Sequence, residues 1–238
     1  VDNSFGGSEN EGALAAIYDQ IVCCRLCPRL VEHREQITRT KRRAYLDWDY
    51  WGKAVPSFGT SKARLLVVGL APGAHGANRT GRIFTGDSSG DLLYSTLYRQ
   101  GFSNQPHSRD KNDGLELYDT YITAALHCVP PQNKPHREEI LTCQPFLAGE
   151  LEILDRIGVI VALGGIAWKA ALDSWVAIGG RVPSPRPKFG HGHESELGEK
   201  TLLIGSYHPS RQNTQTGRLT TEMFESVFSR ARQVIGNR

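Results

Sequence analysis

The chain has 238 residues, a formal net charge of +3, 39% hydrophobic residues and 22% charged ones. That is enough for one sizeable core, too apolar for a disordered chain, and too weakly basic to demand a polyanion. No run approaches the roughly 20 apolar residues of a membrane-spanning helix.

Val1–Gly7 is polar and Gly-rich and does not read as a secretory signal, so a cytoplasmic monomer is expected. Residues 1–10 read as a flexible tail and 11–238 as one domain. A helix is predicted over 11–37, containing Cys24 and Cys27 and breaking or restarting at Pro28. Residues 38–60 are aromatic and irregular. Leu65–Leu70 is a continuous apolar run, as in a strand buried on both faces. A Gly-rich loop follows to Gly81, then a helix over 89–100 and a polar connection to Gly114. The next strand is Thr120–Leu126, followed by the loop Val129–Pro135. A helix over 136–156 carries Cys143 and a kink at Pro145. A third strand at Val159–Gly164 leads into a helix over 166–177. Arg181–Gly198, rich in Pro and Gly, reads as an exposed excursion. The fourth strand, Leu202–Tyr207, runs into His208-Pro-Ser-Arg-Gln-Asn, and an amphipathic helix covers 219–235.

Strands alternating with helices give an α/β fold: three α/β/α layers around a central four-stranded parallel sheet. Ligands of such sheets bind beyond the carboxyl ends of the strands. Three of the four strands empty there into polar or Gly-rich loops, which brings Gly73, Asn133 and His208 toward one edge.

An odd number of cysteines, five, argues against a disulfide framework. Their spacing is Cys24-x2-Cys27, then Cys128-x14-Cys143, with Cys23 the spare or an alternative to Cys24. Two thiolates on one turn and two more from a distant segment suit zinc or an iron-sulfur cluster. Five buried free thiols are the plainer reading, but Cys24 and Cys27 sit among polar and basic residues. From Arg25 to Arg43 there are seven Arg or Lys against two Glu, either a solvated surface or a phosphate contact.

Gly76–Gly81 has the spacing of a P-loop opening, but Arg82-Ile83 follows instead of Lys-Ser/Thr, so the phosphate-gripping lysine is missing. Gly86-Asp87-Ser88 has the form of a hydrolase nucleophile turn. No Asp stands close before His208 to complete a triad, and Asp87 read simply caps the following helix.

Read together, two loops carry a more specific pattern. Gly69-Leu-Ala-Pro-Gly73 with Gly81-Arg-Ile-Phe-Thr-Gly-Asp-Ser-Ser-Gly90 resembles the first active-site motif of the uracil-DNA glycosylase superfamily. His208-Pro-Ser-Arg-Gln-Asn-Thr-Gln-Thr-Gly217 resembles the second. The cysteine spacing is similar to that of the iron-sulfur branches, and the loop Gly69–Gly81 is similar to the type B, or fifth, family. The resemblance runs from about Cys24 to the last helix. It implies a structural [4Fe-4S] cluster, ahead of zinc, on Cys24, Cys27, Cys128 and Cys143. It also implies monofunctional removal of damaged bases from double-stranded DNA. Phe84 is then the wall on which a flipped base stacks, with Gly69, Ala71 and Gly73 beside it. His208 is the donor that stabilises negative charge on the departing base.

Leu70 and Ala71 stand where relatives in the wider superfamily carry groups that handle the attacking water. Ala124 stands where a relative's Asn reads uracil. Asp87 and Asn133 are the polar residues expected to compensate, and a pocket without a strict amide reader is expected to accept uracil, hypoxanthine and other deaminated bases. Arg211, Gln212 and Asn213 are expected to enter the minor groove, and Asn78, Arg82, Lys134 and Ser210 to contact phosphates. The competing readings are a metal-cluster nucleic-acid-binding module without catalysis and, behind it, a serine hydrolase.

Overall fold

The computed structural model describes residues 6–236. Its centre is a six-stranded sheet formed by β1 (Phe58–Gly59), β2 (Leu65–Gly69), β3 (Thr120–Ala124), β4 (Val159–Leu163), β5 (Glu194–Leu197) and β6 (Thr201–Ser206). The order is β1-β3-β2-β4-β6-β5. The four inner strands pair in parallel, as expected, while β1 and β5 add an antiparallel strand at each edge. Both edge strands lie in segments read as irregular. β1 has only two residues, too short for any alternation signal. β5 falls inside the Pro/Gly-rich excursion, where its pattern of exposed and buried residues is easily missed.

All five residues of β2, β3 and β4 are buried. Alternate side chains point to opposite faces, so one apolar run serves two cores. Leu65, Val67, Ile122, Val161 and Ile204 pack against α4 (Ser88–Arg99) and α8 (Thr221–Gly236), through Leu93, Tyr94, Phe224 and Phe228. Leu66, Val68, Tyr121, Ile160 and Leu203 face α1 (Gly6–Cys23), α5 (Arg137–Ile153) and α6 (Gly165–Ala177), through Leu14, Leu147, Leu151 and Trp168. This is the three-layer arrangement.

Two boundaries differ from the sequence reading. The first helix begins at Gly6, within the stretch read as a tail; residues 1–5 of that stretch lie outside the described residues. It also stops at Cys23, and α2 (Pro28–Thr40) restarts with Pro28 at its first turn. Cys24 and Cys27 therefore stand in a short connection between two helices, where proline has removed the donor that continuation would need. Pro145 lies inside α5, whose helical assignment is continuous.

Candidate active site

The carboxyl ends of β2, β3 and β6 open onto a cleft of roughly 1030 Å³. Leu70, Ala71, Gly73, Phe84, Asp87, Asn133, His208, Ser210, Arg211 and Gln212 all line it. The loop after β2 carries a four-residue helix, α3 (Ala77–Thr80), and closes at Gly81 in the left-handed conformation. Phe84 follows at φ 52°, a conformation its side chain does not favour, and Gly86 at φ 81°. That turn delivers the Phe84 ring to the end of β2. A Cβ on Gly69 would stand 2.7 Å from the ring, so the strand end has to be glycine there.

The His208 ring lies 6.0 Å from Phe84, centroid to centroid, and 28° from parallel. It is held by its own chain: Asn213 Nδ2 donates to His208 O at 2.8 Å, and Ser210 Oγ accepts from Asn213 N, capping α7 (Arg211–Gln215). Burial pushes the imidazole down from 6.5 to about 4, so it is neutral at neutral pH. A neutral ring offers one N–H donor and one acceptor nitrogen.

Asp87 does two things. Its Oδ1 accepts from Ser89 N at 3.0 Å and Gly90 N at 3.1 Å, which caps α4. Its Oδ2 faces Gly73 and Gly76, where a Cβ on Gly73 would come within 2.6 Å of it and one on Gly76 closer still. Burial raises its pKa, against the two backbone donors, which lower it; Asp91 raises it further and Arg79 lowers it. The capping reading and the catalytic reading of Asp87 thus use different oxygens.

Four expected contacts take other roles. Asn78 is buried, with Nδ2 donating to Arg34 O at 3.4 Å. Arg82 is buried too, bonded through Nη2 to both Asp113 oxygens at 2.8 and 2.7 Å and to Ser108 Oγ at 2.6 Å. Neither can reach a phosphate from there; both build the loop. Asn213 spends its amide donor on His208 O, and Lys134 is exposed but outside the cleft. Asn133 is exposed on the cleft rim at φ 57°.

Several cleft residues were not singled out in the sequence reading: Tyr45, Trp48, His75, Arg79 and Arg109. His75 stood in plain view in the Gly-rich loop. Its Nδ1 lies 3.1 Å from Tyr50 Oη, and burial, with Arg42 and Arg79 nearby, lowers its pKa.

The four cysteines predicted as ligands come together. Cys24, Cys27, Cys128 and Cys143 line one small pocket with Leu30, Ala54, Leu126 and Phe146, while Cys23 is exposed and outside it. Buried Arg34 donates from Nη1 to Cys128 Sγ at 2.8 Å and from Nη2 to Cys24 O at 3.0 Å. Arg29 clamps Glu139 with two 2.7 Å bonds, tying α2 to α5 beside them. Burial pushes the Cys128 thiol up to about 11 and raises Cys27 and Cys143 as well. Among the described residues, no three His, Cys, Asp or Glu side chains stand ready-grouped around a single ion. Three of the seven basic residues in the stretch have local partners: Arg25 pairs with Glu35, Arg29 with Glu139, and Arg34 with Cys128. Arg42 alone of that stretch lines the cleft.

The model of the uracil DNA glycosylase superfamily matches residues 56–232. The chain belongs to that superfamily. It is accordingly an enzyme, a hydrolase of N-glycosyl bonds. It is 49% identical over 226 residues to the type-5 uracil-DNA glycosylase of Mycobacterium bovis, covering 94% of this chain and 83% of that one. The type-5 enzyme of Thermus thermophilus is 48% identical over 93% of this chain and 98% of its own. That of Mycobacterium leprae is 46% identical over 96% and 99%. The glycosylase is built so that two sequence-distant loops, 69–90 and 208–217, share one cleft.

Proposed function

We propose that this enzyme excises uracil, hypoxanthine and other deaminated bases from double-stranded DNA, leaving an abasic site. The relatives named type-5 uracil-DNA glycosylase support uracil as a substrate. The observation that carries the chemistry is the Phe84–His208 ring pair in a cleft that Asp87 also lines.

A target nucleotide leaves the stack and its base enters the cleft against the Phe84 ring. The N-glycosidic bond then breaks, and its electron pair departs with the base. Negative charge grows on the base carbonyl, where a neutral His208 donates its N–H; a fixed donor of this kind is worth about 10²–10³ in rate. Positive charge grows on the sugar, which the Asp87 carboxylate stabilises. Water bonds to C1′ with Oδ2 orienting it, and its proton is lost as the base gains one. Asn133 reaches the base from the rim. Arg211, Gln212 and Ser210 contact the DNA next to the vacated position. Ala124 places no amide against the base edge, so wrong bases leave no buried group unpaired and discrimination is weak.

Cys24, Cys27, Cys128 and Cys143 would hold a [4Fe-4S] cluster; their shared pocket and the Arg34 donor fit a thiolate-ligated group. Such a group supplies a structural cross-link between the α1–α2 connection, the end of the β3 loop and α5, and no step of the reaction.

The test is base release from otherwise identical duplexes carrying uracil or hypoxanthine, read as alkali-cleavable abasic product on a gel. Product from both is expected. Tight duplex binding without release of any base overturns the proposal.

A further inference from the structure

Arg79 sits in α3, 4% exposed, within the first active-site loop. A buried guanidinium is costly unless it is fully partnered. Among the described residues Arg79 has no ion pair, and its Nη1 is buried without a hydrogen-bond partner. What it does hold is backbone on both sides of the cleft loop. Nε donates to His75 O at 2.7 Å, and Nη2 donates to Gly86 O at 3.0 Å. Tyr45 and Trp48 enclose the guanidinium, their ring centres 4.0 and 4.1 Å from its carbon. Both rings lie upstream of residue 56, before the superfamily match begins. Two rings of that upstream segment cover this one arginine.

Gly86 immediately precedes Asp87, and the turn from Phe84 to Gly86 is in left-handed conformations that need bracing from outside. We propose that Arg79 is a positioning residue for excision: it braces the turn that carries Phe84 and Asp87 and gives Asp87 a cationic neighbour. This rests on the catalytic role of Asp87 proposed above. The other titratable or charged groups on the cleft are Arg42, Tyr45, His75, Asp91, Arg109, His208 and Arg211. Burial lowers the pKa of His75, helped by Arg42 and Arg79, and takes His208 down to about 4, while Asp91 acts against Asp87 ionisation. Among these groups Arg79 is the cation that favours the Asp87 carboxylate, an effect smaller than the burial that opposes it.

The test is single-turnover uracil excision from pH 5 to 9 by wild type, Arg79→Met, Arg79→Lys, Asp87→Asn and the double variant Arg79→Met/Asp87→Asn. Binding to a duplex with a tetrahydrofuran abasic analogue is measured alongside. Arg79→Met should lose about 10²-fold in rate, the cost of a small misplacement of a reacting group. The acid limb of its profile should move to higher pH, the direction expected when a cation is removed from beside a carboxyl. Analogue binding should stay within a few-fold of wild type, and adding Arg79→Met to Asp87→Asn should cost little more. Arg79→Lys should keep the wild-type acid limb while losing rate. If Arg79→Met does not fold, Arg79→Lys decides alone: wild-type rate, or a shifted limb, overturns the proposal. A full additional loss on top of Asp87→Asn also overturns it. An inactive wild type overturns this inference together with the proposed function; an active wild type matched by Arg79→Met overturns this inference only.

Discussion

His208 makes the sharpest claim about charge. Its imidazole, pushed down to about 4 by burial, is protonated in about one molecule in a thousand at pH 7. The proposed mechanism therefore uses a neutral donor, not an imidazolium. Replacing His208 with Ala should lower single-turnover excision of uracil by about 10²–10³, or about 3 kcal/mol of transition-state stabilisation. Duplex affinity should change little, because the neutral ring is turned against Phe84 and carries no charge to attract phosphate. His208→Gln, which returns an N–H near the same place, should recover part of the loss. In wild type the contribution of His208 should be flat from pH 5 to 9, since the ring titrates below that window. The assay is quenched-flow or manual-quench excision on a uracil duplex at enzyme excess over that range. A wild-type rate that climbs as pH falls through 6.5, and loses the climb in His208→Ala, would show that the charged ring is needed and refute the argument. So would an unchanged rate in His208→Ala.

Gly76→Ala pushes the Asp87 carboxyl aside and should reduce excision by about 10²-fold, with a lower thermal melt as the α4 cap is disturbed; equal rates would mean the position of that oxygen is immaterial. Glu150 is fully buried, raised by burial from 4.5 to about 7, with Tyr121 Oη donating to Oε1 at 3.3 Å and Oε2 unpartnered. The folded state keeps its proton where the unfolded chain loses it, so stability falls as pH rises from 4.5 to 7 and stays lower above. Glu150→Gln should thus gain up to about 3 kcal/mol at pH 8 and little at pH 4.5 in urea melts; the same gain at both would contradict this. Cys128→Ser should lower iron per chain and the absorbance near 400 nm in anaerobically purified protein, while Cys23→Ser should leave both alone; stoichiometric zinc in wild type would remove the cluster from the account.

The parallel core was legible because burial on both faces writes itself as unbroken apolar runs: Leu65–Val68 and Val159–Leu163 serve two cores at once. Loops at the strand ends then had to share an edge, which is why Gly73, Asn133 and His208 could be grouped before any contact was known, while Phe84 and Asp87 entered through the family resemblance. The thiols were legible for a similar reason. Cys24 and Cys27 are close in the chain, and Cys128 follows β3 toward that same end. The connection that carries the first pair was drawn as helix because Pro28 permits either a kink or a fresh start, and only packing decides.

What polarity could not convey is direction. Arg82 and Asn78 looked like phosphate ligands because they are polar residues in a ligand-facing loop. Yet the connection from β2 to α4, residues 70–87, bends back on itself and has its own donors and carbonyls to satisfy, and buried ones cost more than exposed ones. Arg82 meets that need through Asp113 and Ser108, from a connection that read as a featureless polar linker. Arg79 does the same through His75 and Gly86. The residues left over to face the cleft are those the loop does not need for itself: an aromatic ring, one carboxylate oxygen, and the rim of α7. In this fold a polar side chain between Asn78 and Arg82 is evidence for a built loop, and the DNA contact is sought one layer further out, at Ser210, Arg211 and Gln212.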